Sequence, residues 1–151
     1  MSELIEGLRG EAGLASRSMR RWKMAERYGV YRCNVCGNVV RVNLAGKGEL
    51  VCCGQPMELL RPQAEEQGGE KHLPLVERTP QGIRVRVGSV AHPMEQAHHI
   101  SWVEVDADGC RCERFLEPGD EPVVEFLLRP EWQPRAVRAY CNVHGLWERR
   151  I

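Results

Sequence analysis

Two groups of side chains hold most of the chemistry this sequence can do. Cys33 and Cys36 form a C-x-x-C, and after fifteen further residues Cys52 and Cys53 stand next to each other. The first spacing lets one tight turn present two sulfurs, and a second pair then closes a tetrahedral four-sulfur site. Gly37 and Gly54 follow the two pairs, where the backbone must bend so that its amides face the thiolates. Four thiolates suit zinc and iron alike, so a structural zinc knot and an iron centre both stand open on this motif alone. Adjacent residues do not easily set both sulfurs at a tetrahedral angle, so a distorted site is expected.

The second group is built on histidine. Four of the five histidines fall in three tight contexts: Glu70-Lys71-His72, the run from His92-Pro93-Met94-Glu95 to His98, and Cys141-Asn142-Val143-His144. Neutral imidazole is a common metal ligand, and a thiolate beside it favours iron, copper or zinc over magnesium or calcium. One histidine, or one Cys-x-x-His, would be background. Four histidines and a cysteine gathered at strand ends and loops are not.

The elements that must position these groups are short. Residues 1–30 read as an extension of one or two short helices broken by Gly10, Gly13 and Gly29. Its arginines and lysines read as a solvated face, with contact to an acidic partner or nucleic acid as the alternative. Residues 31–62 carry β-prone runs at 38–42 and 49–51 around the turn Gly46-Lys47-Gly48. That unit is too small for a hydrophobic core and needs its four cysteines as a staple. The polar stretch Arg61 to Gly69 reads as a linker, with 63–69 as the join to a second unit at 70–151. There, runs at 73–77, 83–88, 100–105, 112–115, 122–128 and 135–140 alternate with turn signals, which suggests an antiparallel sandwich. The chain is therefore expected to be mainly β.

Composition narrows the classes. At 151 residues, 42% apolar and 28% charged, the chain reads as globular. No apolar run approaches the ~20 residues of a membrane helix. The start lacks a secretory pattern, so a cytoplasmic location is expected. The formal net charge is zero, which argues against a broad nucleic-acid-binding field. Seven cysteines in a cytosolic setting read as metal ligands or redox groups before disulfides.

The pattern E-K-H, then H-P-M-E-x-x-H-x-I-x-W, then C-N-x-H-G-x-W resembles the superoxide reductases. The upstream C-x-x-C and C-C resemble the desulforedoxin-like domain of desulfoferrodoxin, the two-iron form of that family. The resemblance runs over roughly residues 31–151. It implies that His72, His92, His98 and His144 ligate one iron in a plane with Cys141 as axial ligand, leaving the opposite position to superoxide. It implies that Lys71 attracts the anion and that Glu70 occupies the open position once the iron is ferric. Cys33, Cys36, Cys52 and Cys53 would hold the second iron, with zinc as the alternative occupant in some preparations. An immunoglobulin-like sandwich, a homodimer, a rubredoxin-like electron donor and one-electron reduction of superoxide to hydrogen peroxide come with the resemblance.

The departures are few. His99 stands beside His98, where relatives often carry an aromatic residue; adjacent strand residues point to opposite faces, so only His98 should reach the metal. Cys110 and Cys112 match nothing in the pattern and read as small hydrophobes on one face of a strand, a third metal or redox site being the alternative. A non-enzymatic iron electron carrier leaves Glu70 and Lys71 without a purpose. A zinc-stabilised binding or regulatory protein leaves the histidine group unexplained. A superoxide dismutase would differ by also releasing oxygen.

Overall fold

Strict alternation decides the sandwich strands. In Gly82–Val87 the sequence GIRVRV buries Ile83, Val85 and Val87 and turns Arg84 and Arg86 to solvent. The computed structural model describes residues 24–64 and 70–151, and every regular element in them is a strand.

The first unit contains β1 (Val30–Arg32), β2 (Val39–Arg41), β3 (Val51–Cys52), β4 (Gln55–Pro56) and β5 (Glu58–Leu60). Three of these pair in the order β2-β1-β5, and β3 and β4 form a separate two-stranded ribbon. The second unit is a sandwich of two antiparallel sheets. One pairs β10 (Val123–Leu127), β7 (Gly82–Val87) and β6 (Pro74–Thr79). The other pairs β12 (Gly145–Arg150), β11 (Pro134–Cys141), β8 (Ile100–Ala107) and β9 (Cys110–Phe115) in that order. Between the sheets lies one core: Ile83, Val85, Val87, Ile100, Val103, Val105, Val124, Phe126, Val137, Ala139 and Cys141.

The expected mainly β architecture, a small cysteine-rich unit plus a sandwich, is what the structure shows. The helices expected in residues 1–30 fall mostly on residues 1–23, outside the described residues. Residues 24–29 are not helical: Arg27-Tyr28 is a turn, Tyr28 is left-handed at φ 63°, and Val30 already begins β1.

Two strands at the join escaped the alternation rule, β1 and β12. Each has neighbouring residues buried on both faces: Val30 with Tyr31, and Leu146 with Trp147. The cause is that the small unit covers the outer face of the four-stranded sheet. Val30, Trp102, Tyr140 and Leu146 form a second buried cluster there, flanked by Val39 and Leu60, with the Trp102 and Tyr140 rings stacked at 5.6 Å. The expected linker also takes part before residue 65. Gln63 bridges in parallel to Trp147, its N–H donating to the Leu146 carbonyl at 2.9 Å while its carbonyl accepts from Glu148 N–H at 2.9 Å.

A buried carboxylate fastens the same face. Glu104, 1% exposed, accepts hydrogen bonds from Arg41 of the small unit and from Arg111 and Arg138 of the sandwich. Arg41 also reaches Glu113 at 2.9 Å, and the Arg111 guanidinium lies 4.1 Å over the Tyr28 ring. Removing one partner of a buried ion pair costs about 3–5 kcal/mol, because the charges left behind stay desolvated.

Candidate metal centres

Cys33 directly follows β1, and its carbonyl accepts the Gly37 N–H at 3.0 Å. That turn swings Cys36 back toward its partner. Cys52 and Cys53 follow from the β3-β4 ribbon, where Cys53 takes the left-handed conformation at φ 50°. This positive φ is the local answer to the crowding of adjacent ligands, since it turns two neighbouring sulfurs to one side. The four sulfurs lie within 4.8 Å of one another. Cys36 and Cys52 are 3.6 Å apart, and Cys52 and Cys53 are 3.9 Å apart. Sulfurs each about 2.3 Å from a tetrahedral metal stand roughly 3.8 Å from one another, so these two edges fit a single ion. The backbone N–H groups of Cys36 and Val35 bring the Cys33 thiol down to about 6, which favours its thiolate form.

The histidine group forms at one end of the sandwich, from three loops. His72 ends the turn before β6, His92 follows the turn after β7, His98 closes a tight Glu95–His98 turn before β8, and Cys141 and His144 flank the β11-β12 hairpin. Gly145, left-handed at φ 80°, lets that three-residue loop close with Cys141 opposite Gly145. A register shift in the β11-β8 pairing falls between Tyr140 and Cys141, beside the site.

Gly88 draws two ligand loops together. It has φ 85°, and a Cβ there would lie 2.7 Å from the Lys71 carbonyl oxygen and 2.4 Å from that of Val90. Only glycine permits that approach. The Glu70 carbonyl accepts from Val90 N–H at 3.0 Å and from the Ser89 hydroxyl at 3.1 Å, so the Glu70-Lys71-His72 turn is tied to the loop that carries His92.

The ring centroids define the shape. Successive distances around His72, His92, His98 and His144 are 4.9, 4.7, 4.8 and 4.6 Å, and neighbouring rings stand at 67–78° to each other. His72 and His98, across the ring, are 6.5 Å apart. A tetrahedron would make those separations equal; a longer diagonal is what a square requires. Cys141 Sγ approaches this square, 3.5 Å from His144 Nδ1, and accepts the His144 backbone N–H at 3.4 Å.

The donor atoms suit a metal. His72 Nε2 and His98 Nε2 lie 3.0 and 3.1 Å from His144 Nδ1. His92 Nδ1 donates to the Pro93 carbonyl at 2.6 Å, which leaves Nε2 as the lone pair. That Nε2 is buried with no hydrogen-bond partner among the described residues. An orphaned lone pair is costly unless a cation takes it. Burial, chiefly, lowers His92 to about 4, and burial followed by the neighbouring His144 lowers His98, with Lys71 adding to the same effect. Both imidazoles are therefore neutral ligands at neutral pH. Burial pushes the Cys141 thiol up, opposed by the N–H groups of His144 and Val143.

The structure thus brings His72, His92, His98, Cys141 and His144 into one group within 4.8 Å, and Cys33, Cys36, Cys52 and Cys53 into another. His99 stays outside, its Nδ1 3.2 Å from the Glu95 carbonyl oxygen. Glu70 and Lys71 are exposed at the rim. Cys110 and Cys112 belong to neither group.

Three supporting residues were missed in the sequence, two of them inside its motifs. Trp147 stacks on His72 at 4.7 Å and 13°. Asn142 accepts from His99 N–H at 2.9 Å and donates to the Ala97 carbonyl at 3.1 Å, tying the hairpin of Cys141 to the turn of His98. Gln63 donates to the His144 carbonyl at 2.8 Å. Asn142 and Trp147 were visible as letters of C-N-x-H-G-x-W, whereas nothing local marked Gln63.

Known proteins share both parts. The family model for desulfoferrodoxin matches residues 64–150, and that for the desulfoferrodoxin N-terminal domain matches residues 25–60. The chain is 52% identical over 125 residues to a desulfoferrodoxin homolog of Archaeoglobus fulgidus, covering 83% of this chain and 98% of the relative. It is 47% identical over 125 residues to the desulfoferrodoxin of Nitratidesulfovibrio vulgaris, with the same coverage, 83% and 98%. A superoxide reductase of Thermococcus kodakarensis is 31% identical over 100 residues, covering 55% of this chain and 87% of the relative. The crystal structure of the superoxide reductase from Treponema pallidum superposes with a TM-score of 0.66 over 86% of this chain and 99% of that one, at 24% identity, which shows a shared fold.

Proposed function

The chain belongs to the desulfoferrodoxin family, and from that premise we propose that it is a superoxide reductase, converting superoxide to hydrogen peroxide. The observation that carries the proposal is the square of four imidazoles with the Cys141 sulfur against it. A tetrahedral zinc knot does not call for that arrangement.

His72, His92, His98, His144 and Cys141 would hold the catalytic iron, and Cys33, Cys36, Cys52 and Cys53 a second iron that zinc can replace. When bound, the ferrous ion supplies the single electron that superoxide takes up, with two protons from solvent completing hydrogen peroxide. His92 and His72 are buried while His144 is exposed, so the group is anchored on the protein side and reachable from water. Lys71 lies at that rim close enough to depress His98, and its ammonium gives an approaching anion a local field that the neutral chain otherwise lacks. Glu70, on the same turn, is the carboxylate at hand to replace the departed anion. Burial pushes the Cys141 thiol up, and the His144 and Val143 N–H groups oppose that by donating to its sulfur. The Trp147 ring and the Pro93 carbonyl hold His72 and His92 in orientation.

In the same reading the protein works in the cytoplasm as a homodimer, detoxifies superoxide under oxidative stress, and is re-reduced by a small rubredoxin-like donor. The relatives named superoxide reductase support the activity. The test is a stopped-flow reaction of pre-reduced, iron-quantified protein with superoxide, counting peroxide and oxygen. One peroxide per superoxide without oxygen is expected. Oxygen with half as much peroxide would mean dismutation, and no reaction would return the chain to an electron carrier.

A further inference from the structure

Cys110 and Cys112 alternate along β9 with Arg111 between them, and so share one face of the strand. They pair across the hairpin with Ala107 and Val105, both buried, and Cys112 packs against the sandwich core. Their sulfurs lie 2.9 Å apart. That is closer than the 3.6 and 3.9 Å separations in the four-cysteine group. Two thiolates sharing a metal need roughly 3.8 Å, so this pair is too close for a metal between them. Among the described residues no histidine or acidic side chain completes a ligand set with it. Within the four-stranded sheet β9 is the edge, with one neighbour, so the strand can adjust as the sulfurs approach the about 2.05 Å of a disulfide.

We propose that Cys110 and Cys112 are a redox-active dithiol that hydrogen peroxide converts to an intrachain disulfide, a modification site separate from both metal-ligating groups. The proposal rests on the superoxide reductase reading for its native source of peroxide. Cys112 pairs with Val105, five residues along β8 from Ile100, which pairs with Cys141. At roughly 3.4 Å per residue that places the dithiol about 17 Å from the histidine group, so peroxide reaches it by diffusion. Cys112 packs against the sandwich core and burial raises its thiol, whereas Cys110 opens β9 beside the Asp108-Gly109 turn, so Cys110 is the sulfur that peroxide meets first. The Cys110 thiolate attacks one peroxide oxygen, the O–O bond breaks, and hydroxide leaves to be protonated to water. The resulting sulfenic acid on Cys110 is attacked by the Cys112 sulfur; the S–O bond breaks and the Cys112 proton leaves with hydroxide as a second water. Two thiols and one hydrogen peroxide thus give one disulfide and two waters.

The experiment treats the metal-loaded full chain with equimolar hydrogen peroxide, alkylates it under denaturing conditions, and digests it after glutamate. The fragment of residues 105–113 is expected to be unalkylated and lighter by two hydrogens, and to recover both alkyl groups after thiol reduction. In Cys112→Ser, Cys110 should stop at a sulfenic acid trapped by a dimedone reagent; in Cys110→Ser, Cys112 should stay unmodified. Full alkylation of both cysteines after peroxide, or oxidation confined to Cys33, Cys36, Cys52 and Cys53, would overturn the proposal. The same mapping after superoxide is given to the pre-reduced protein separates the two readings. Closure with added peroxide but not after superoxide would leave the dithiol's chemistry in place and remove the enzyme as its source.

Discussion

Cys33 and Cys52 meet across 19 residues of chain, on a unit whose strands are two or three residues long. His72 and His144 meet across 72, carried by loops between strands of five to eight residues. The sulfur group is made by its own turns, Gly37, Cys53 and Gly54 all at positive φ, and has little core beneath it. The histidine group is made by a sandwich that folds for its own apolar reasons and then presents three loops at one end. A metal bound at the first site would be part of the fold. At the second it would be a guest of a scaffold that already exists, with His92 Nε2 bare to receive it. On the function proposed above, this difference fits the first group to structure and the second to turnover.

The largest break in that contrast should come from Cys141→Ser. Superoxide reduction should fall by more than the roughly 10- to 100-fold that loss of an outer-shell partner costs. The thiolate-to-iron absorption should vanish while the four-cysteine spectrum persists. Stopped-flow and visible spectra check both, and a variant as fast as wild type would remove Cys141 from the site.

Cys53→Ser should do the converse. Metal content should drop from two ions to one, and the small unit should lose metal-linked folding free energy, a quantity of about 10–16 kcal/mol for structural zinc in small domains. The superoxide reaction should change little. Metal analysis with hydrogen exchange over residues 30–60 reads this, and protection unchanged from wild type would mean that the packing of Val30 and Leu60 on the sandwich suffices without the metal.

Lys71→Ala sharpens the picture of the rim. Capture of superoxide should slow about tenfold at low ionic strength, with a flattened salt dependence, while iron content and the Cys141 absorption stay put. A rate that keeps its wild-type salt slope would assign the steering to another cation.

The smallest effect separates sulfur environments by pH. Burial, then its bond to Cys110, pushes the Cys112 thiol up to about 11, against about 8.5 for a free cysteine. Only the thiolate alkylates, so in the reduced protein Cys112 labelling should keep rising toward pH 11 instead of levelling off near 9. Peptide-resolved alkylation rates against pH measure it, and an early plateau would deny the burial.

What could be read from the residues alone was what depends on neighbours in sequence. The C-x-x-C and C-C pairs, the Cys-x-x-His hairpin and the alternation of GIRVRV each act within a few residues, so spacing discloses them. The resemblance then named the ligand set, and the structure gathers those same residues into two groups. Strands β1 and β12 were missed because Val30 with Tyr31 and Leu146 with Trp147 are buried on both faces, which erases alternation. Tertiary structure alone decided that Gln63 holds His144 and that Gly88 draws in the Lys71 turn. It also decided that Glu104 gathers arginines from both units, and that Cys110 and Cys112 turn their sulfurs toward each other. Each of these depends on two segments meeting in space, and a distance between segments is not written in the spacing along either.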